Sequence, residues 1–214
     1  MGLVEFASHL QNIRENMRGK YSSRLKHYFA AMYRDKLRKS IENSVTWNPL
    51  SQSQSGCTAI IGVCSRLPDV LAANLRCLNS SHWRELVSVI AVVDGVKGVL
   101  PPGTEEKVKS DFPKLKVEFF YYTSSQANLA ESLKLPYVYS WMSWCIGISH
   151  VQTDTILIHD YDALILGDTL RDRYLKYSSS SVKVQGIAWY KVNGVEVDDQ
   201  LATTFEAFFD AQWL

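Results

Sequence analysis

Four short apolar runs, each rich in β-branched or aromatic residues, limit what this chain can fold into. They are "CTAIIGVCS" from Cys57, "LVSVIAVVDG" from Leu86, "KLKVEFFYY" from Lys114, and Thr155 to His159 within "TDTILIHD". Runs of this length and composition read as buried strands. Between them the spacing turns helical. Val70, Leu71, Leu75 and Leu78 follow Pro68, which suits a first helical turn. Thr104 to Asp111 is a short polar helix after the loop Pro101-Pro102-Gly103, and Gln126 to Val151 is helical with an interruption at Pro136. Strand and helix in strict alternation predict an α/β fold with a mostly parallel central sheet flanked by helices, Rossmann-like in kind.

The flanks follow other rules. Leu3, Phe6, Leu10, Ile13 and Met17, then Tyr21, Leu25, Tyr28, Met32 and Ile41, recur at helical steps, with Gly19 between two helices. Residues 1–50 are therefore expected to be a helical extension and 57–214 the main domain, joined by the polar stretch "WNPLSQSQSG". Residues 1–45 hold nine Lys/Arg against four acids, a balance of +5 that leaves −4 for the rest of a chain whose net charge is +1. Such a basic amphipathic pair packs its apolar stripe on the main domain or on a second copy, or lays its basic face on anionic lipid. At the other end, "VKVQGIAWYKVNGVEV" brackets Asn193-Gly194 with alternating runs, a hairpin signal. From Asp199, the positions Leu201, Phe205, Phe208, Phe209 and Trp213 read as helix. A helix running to Trp213-Leu214 without a cap leads to the expectation that 57–214 is the donor-side portion of a longer protein.

The near-neutral total gives no basic field of the kind nucleic-acid binding uses. The four cysteines, Cys57, Cys64, Cys77 and Cys145, form no C-x-x-C pair, so reduced thiols and a cytoplasmic location are expected. The start has no signal-peptide pattern, residue 6 is Phe6 where a myristoylation signal needs Ser or Thr, and no apolar run reaches the ~18 residues of a membrane span.

Charge in the core points to a site. The fourth run exits into His159-Asp160-Tyr161-Asp162 and is followed at once by apolar Ala163 to Leu166. Buried carboxylates are costly unless paired. In open α/β sheets ligands bind at the carboxyl ends of the strands. Here those ends carry Ser65-Arg66, Asp94-Gly95 and Asp160-Tyr161-Asp162. In an extended segment Asp160 and Asp162 would face one way and Tyr161 the other. Two carboxylates on one side can share a Mg²⁺-type cation with substrate phosphates. His159 is read as closing the strand, with a supporting role for the acids as the alternative. Trp141 and Trp144 are read as core residues on a helix face, with sugar stacking as the alternative. Trp189 near the hairpin is equally suited to either role, Tyr190 is a further candidate for stacking on a sugar, and Arg171 and Arg173 are read as solvated.

The order "TAIIGVCSR…LAANLRCL…VSVIAVVDG…TDTILIHDYDALIL" resembles the donor-binding half of GT-A fold glycosyltransferases of the family-two type, over roughly residues 57 to 190. That resemblance implies a nucleotide-sugar donor, UDP-linked by preference, and a hydroxyl acceptor. It implies that Asp94 contacts the nucleobase and that Ser65, Arg66 and Tyr161 belong to the donor site. It implies that Asp162 ligates Mn²⁺ or Mg²⁺, with Asp160 on the ribose or on metal-bound water. It implies a downstream carboxylate base, for which Glu196, Asp198 and Asp199 are the candidates; Glu206 joins them if the chain transfers efficiently by itself. Other readings are a nucleotidyltransferase of related fold, which would want a Gly-rich loop where "GVCSRLPD" stands, and a non-catalytic module of the same fold that binds a partner through the basic helices.

Overall fold

The computed structural model describes residues 24–186 except 49 and 51, together with 191–192, 195–196 and 206–213. Its centre is a six-stranded sheet in the order β3-β2-β1-β4-β8-β5. The strands are β1 (Gln54–Val63), β2 (Leu86–Val93), β3 (Val117–Tyr121), β4 (Thr153–His159), β5 (Val184–Gly186) and β8 (Glu206–Asp210). β1 to β4 are mutually parallel, while β8 runs antiparallel to both β4 and β5. The expected α/β architecture is therefore present, with a short antiparallel insertion at one side.

The two faces of the sheet carry two cores, because strand side chains alternate. On one face Ala59, Ile61, Val89, Ala91 and Leu157 pack with Leu71 and Leu75 of α2 (Pro68–Ser80), Val108 of α3 (Thr104–Asp111), and Tyr174 and Tyr177 of α6 (Thr169–Ser178). On the other, Ile60, Ile90, Val92, Ile156 and Ile158 pack with Ala130 of α4 (Ser124–Leu133) and with Val138, Met142 and Ile146 of α5 (Pro136–Ile148). Proline opens both α2 and α5, where its missing N–H costs nothing. Thr123 and Gln126 close a capping box at the start of α4.

Several expectations need correction. Within the expected C-terminal helix, Glu206–Asp210 is instead strand β8, while Leu201 and Phe205 lie outside the described residues. The hairpin survives as β6 (Lys191–Val192) paired with β7 (Val195–Glu196), whose turn lies outside the described residues. The linker is shorter than expected, since Gln54, Ser55 and Gly56 already belong to β1. Helix α6 was not anticipated. Of the N-terminal extension, α1 (Arg24–Glu42) is described and residues 1–23 lie outside. Only part of its stripe is covered. Leu37 and Ile41 are buried, Ile41 among Val138 and Met142, whereas Tyr28 and Met32 are exposed along with Phe29 and Tyr33. No described helix is long and apolar enough to cross a membrane.

Candidate active site at the carboxyl edge

The exits of β2, β1 and β4 lie side by side, because these strands are neighbours in the parallel sheet. Leaving β1, the chain turns through Cys64-Ser65-Arg66-Leu67, with the Leu67 amide donating to the Cys64 carbonyl at 3.0 Å. Asp94, leaving β2, donates its amide to the Val63 carbonyl at 3.0 Å. Its carboxylate Oδ1 accepts the Ser65 amide at 2.7 Å. Asp94 thus ties the two neighbouring loops together with one oxygen. Arg66 is exposed, and its charge reaches α4 and α5, where it reinforces the hydrogen bonds from Tyr139 and Lys134 that hold Glu131 below the usual carboxylate range.

The acidic motif is a turn and not an extension of β4, which ends at His159. The Ala163 amide donates to the Asp160 carbonyl at 3.2 Å, closing that turn. The alternation argument therefore applies to Asp160 and Tyr161 but not to Asp162. Asp160 is half-buried on the α5 face. Tyr161 turns to the opposite face, packs against the α2-side core and donates its hydroxyl to the Leu67 carbonyl. Asp162 is exposed. Burial, and then the nearby Asp162 carboxylate, pull the Asp160 carboxyl above its ordinary range. The apolar stretch after the motif forms no strand, and Leu164 and Leu166 are exposed.

Behind this turn lies a buried polar network. Asn74, on α2 and fully buried, donates Nδ2 to the carbonyls of Asp160 at 3.1 Å and Tyr161 at 3.2 Å. An amide nitrogen must face two carbonyls, so Oδ1 faces His159 and accepts from its Nε2 at 2.9 Å. His159 Nδ1 in turn meets Glu206 Oε1 on β8. His159 thus ends the strand and, through Asn74, braces the backbone of the acidic turn. Burial raises the Glu206 carboxyl, against the opposing pull of His159. Glu206 is only 1% exposed, so it cannot reach an acceptor and leaves the set of base candidates.

On the other face a cleft of about 360 Å³ runs from Asp160 between α5 and α1. Arg34 and Arg38 line it from α1, and Tyr137, Ser140, Trp141 and Trp144 from α5. Both tryptophans are only partly buried, so the all-core reading is too simple: each packs on the core with one side and lines the cleft as well. A polar cleft of similar size, near Asn48, Gln54, Ser149 and Gln152, lies at the opposite strand ends, the wrong edge for ligand binding in such sheets. The arginines escaped the sequence reading because nothing local links residues 34 and 38 to residues 141 and 160.

Among the described residues no three or more His, Cys, Asp and Glu side chains form a closed cation cage. Asp160 and Asp162 offer at most two carboxylates, a donor set that suits Mg²⁺ or Mn²⁺ completed by phosphate oxygens. Burial, and after it the Asp162 carboxylate, disfavour the charged form of Asp160, and a divalent cation beside it would oppose both. Asp198, Asp199, Trp189 and Tyr190 lie outside the described residues, and of Glu196 only the backbone on β7 is described.

No protein-family model matches the chain, and no curated protein matches it in sequence. Among solved structures it resembles the mannosyltransferase PcManGT from Pyrobaculum calidifontis, in complex with GDP-Man and Mn²⁺, with a TM-score of 0.51 at 13% identity. The match covers 86% of this chain and 53% of that one, so the chain spans about half the length of this neighbour and shares its α/β fold over that part.

Proposed function

We propose that the chain is a metal-dependent glycosyltransferase of the GT-A type, using a nucleotide-diphosphate sugar and a hydroxyl acceptor. The observation that carries this reading is the meeting of Asp94, the Ser65-Arg66 turn and Asp160-Tyr161-Asp162 on three adjacent parallel strand exits. Asp94 would orient the nucleobase while holding the Ser65 turn. Asp160 and Asp162 would hold the cation, which offsets charge on the departing diphosphate. The acceptor oxygen forms its bond to the anomeric carbon as the bond from that carbon to the diphosphate oxygen breaks. The electron pair leaves with the nucleoside diphosphate, and the acceptor proton passes to a carboxylate base, for which Glu196, Asp198 and Asp199 remain the candidates. The family-two resemblance favours a UDP-linked donor, while the solved neighbour holds GDP-Man.

Thermal denaturation with UDP- and GDP-sugars, with Mn²⁺ or with EDTA, tests the reading. A donor at 100 times its dissociation constant should add about 2.7 kcal/mol, only when metal is present. Asp162→Ala should abolish that gain without moving the melting temperature of the free protein. Stabilisation that persists in EDTA would remove the metal from the mechanism. No response to any nucleotide sugar would favour the binding-module reading.

A further inference from the structure

We propose that the cleft between α1 and α5 is the acceptor subsite, and that its acceptor is an anionic saccharide: a sugar ring bearing a carboxylate or phosphate. The inference rests on the proposed transferase function and adds the acceptor's class. Position is the first argument. The cleft opens from Asp160, so a ligand seated in it lies beside the carboxylate assigned to the donor's metal and diphosphate. Its volume, about 360 Å³, falls within the range of small-molecule sites.

The walls supply the chemistry. Trp141 and Trp144 stand one helical turn apart with ring centroids 6.1 Å apart and planes at 71°. Aromatic faces are electron-rich and attract the weakly positive C–H face of a sugar ring. Opposite stand Arg34 and Arg38, four residues apart and so on one face of α1. Arg38 pairs with the exposed Asp35 of its own helix, and Arg34 forms no ion pair among the described residues. Two guanidinium groups lining one cleft repel each other unless an anion lies between them, and their planar forks match carboxylate and phosphate.

Tryptophan fluorescence of the full chain tests this with four probes: methyl β-glucuronide, glucose 6-phosphate, neutral methyl β-glucoside and inorganic phosphate. At least one anionic sugar should bind saturably and at least tenfold more tightly than the glucoside or phosphate alone, and the preferred one tells carboxylate from phosphate. Arg34→Gln with Arg38→Gln should erase that preference, and Trp144→Phe should remove most of the optical signal. The metal-dependent thermal shift with UDP or GDP, measured on the same preparations, reports the donor site separately. Its absence would sink the proposed function whatever the sugars do. Equal binding of the neutral glucoside, or no saturable binding of either anionic sugar, overturns the acceptor assignment. So does loss of nucleotide binding in the double arginine variant, which would give those cations to the donor.

Discussion

His159 and Glu206 are direct cross-strand partners on antiparallel β4 and β8, both buried, with imidazole Nδ1 against carboxylate Oε1. The pair stands one residue before the acidic turn and reaches it through Asn74, whose amide holds the carbonyls of Asp160 and Tyr161. The strand that fills the gap between β4 and β5 therefore also fixes the backbone that presents the candidate metal ligands.

Removing one member of such a pair leaves the other buried and uncompensated, at a cost of about 3–5 kcal/mol. Glu206→Ala and His159→Ala should each lower stability by this order in urea denaturation. The double change to leucine should recover much of the loss, because it leaves no orphaned charge. If the single variants cost under about 1 kcal/mol, the pair is solvated and the network is not what holds the turn.

The parallel half of the fold was legible because β1, β2 and β4 are apolar on both faces and each is punctuated by a helical period or a Pro/Gly turn. β8 was not. Both faces of this five-residue strand meet a core, Phe208 on the α2 side and Phe209 on the α5 side, so Ala207, Phe208 and Phe209 form a continuous apolar run that mimics a helix face. Helix α6 had a readable signal in Leu170, Tyr174 and Tyr177, spaced four and three, but its two arginines and its polar surroundings masked it. At the site, the strand-end acids were visible, whereas Asn74 and the α1 arginines were not. Their roles depend on contacts across 85 or more positions of sequence, and single-segment patterns carry no such information.

Gly147 sets how closely α5 lies on the sheet. A Cβ built there would stand 2.3 Å from Ile60 Cγ2, a side-chain atom pinned in the core. Overpacking of this kind costs about 1–3 kcal/mol. Gly147→Ala should destabilise by that amount, and its cost should shrink in an Ile60→Ala background, where the clashing methyl is gone, so the two losses should be less than additive. A stability for Gly147→Ala equal to the parent would mean α5 can ride outward freely. The Trp141–Trp144 wall of the cleft would then be less rigid than drawn.

Glu105 anchors the region that follows Asp94. Burial alone would raise its carboxyl, but hydrogen bonds from Lys97 and Tyr121 outweigh that and hold it below the ordinary glutamate value. A carboxyl lowered in the folded state stabilises above its unfolded pKa, near 4.3, and loses that contribution as pH falls through the folded value. Lys97 is largely exposed, so the contribution is discounted to about 0.5–1 kcal/mol. Glu105→Gln should therefore cost that much at pH 7, with the difference from the parent vanishing at the acid end of a pH series. A difference independent of pH would assign the effect to packing.

Cys64 reports on the donor site without any change to it. Burial, and then Asp154, push the Cys57 thiol well up. Burial, and then Glu42, push the Cys145 thiol up to about 12. Cys77, on α2, is buried. Cys64 alone among the four is partly exposed, and it precedes Ser65 in the turn that Asp94 holds. Since the thiolate is the reactive form and access is required, iodoacetamide on the native protein should label Cys64 first, the others following only on unfolding. A nucleotide sugar bound with Mn²⁺ over Asp94 and Ser65 should cover that turn and slow the labelling, and EDTA should restore the rate. Peptide mass spectrometry over a time course distinguishes the outcomes. Protection by the nucleotide sugar that survives EDTA would mean that donor binding does not need the cation. Labelling of Cys64 unaffected by a saturating donor would place the nucleotide away from the β1 exit, and the roles given to Ser65 and Arg66 would fall with it.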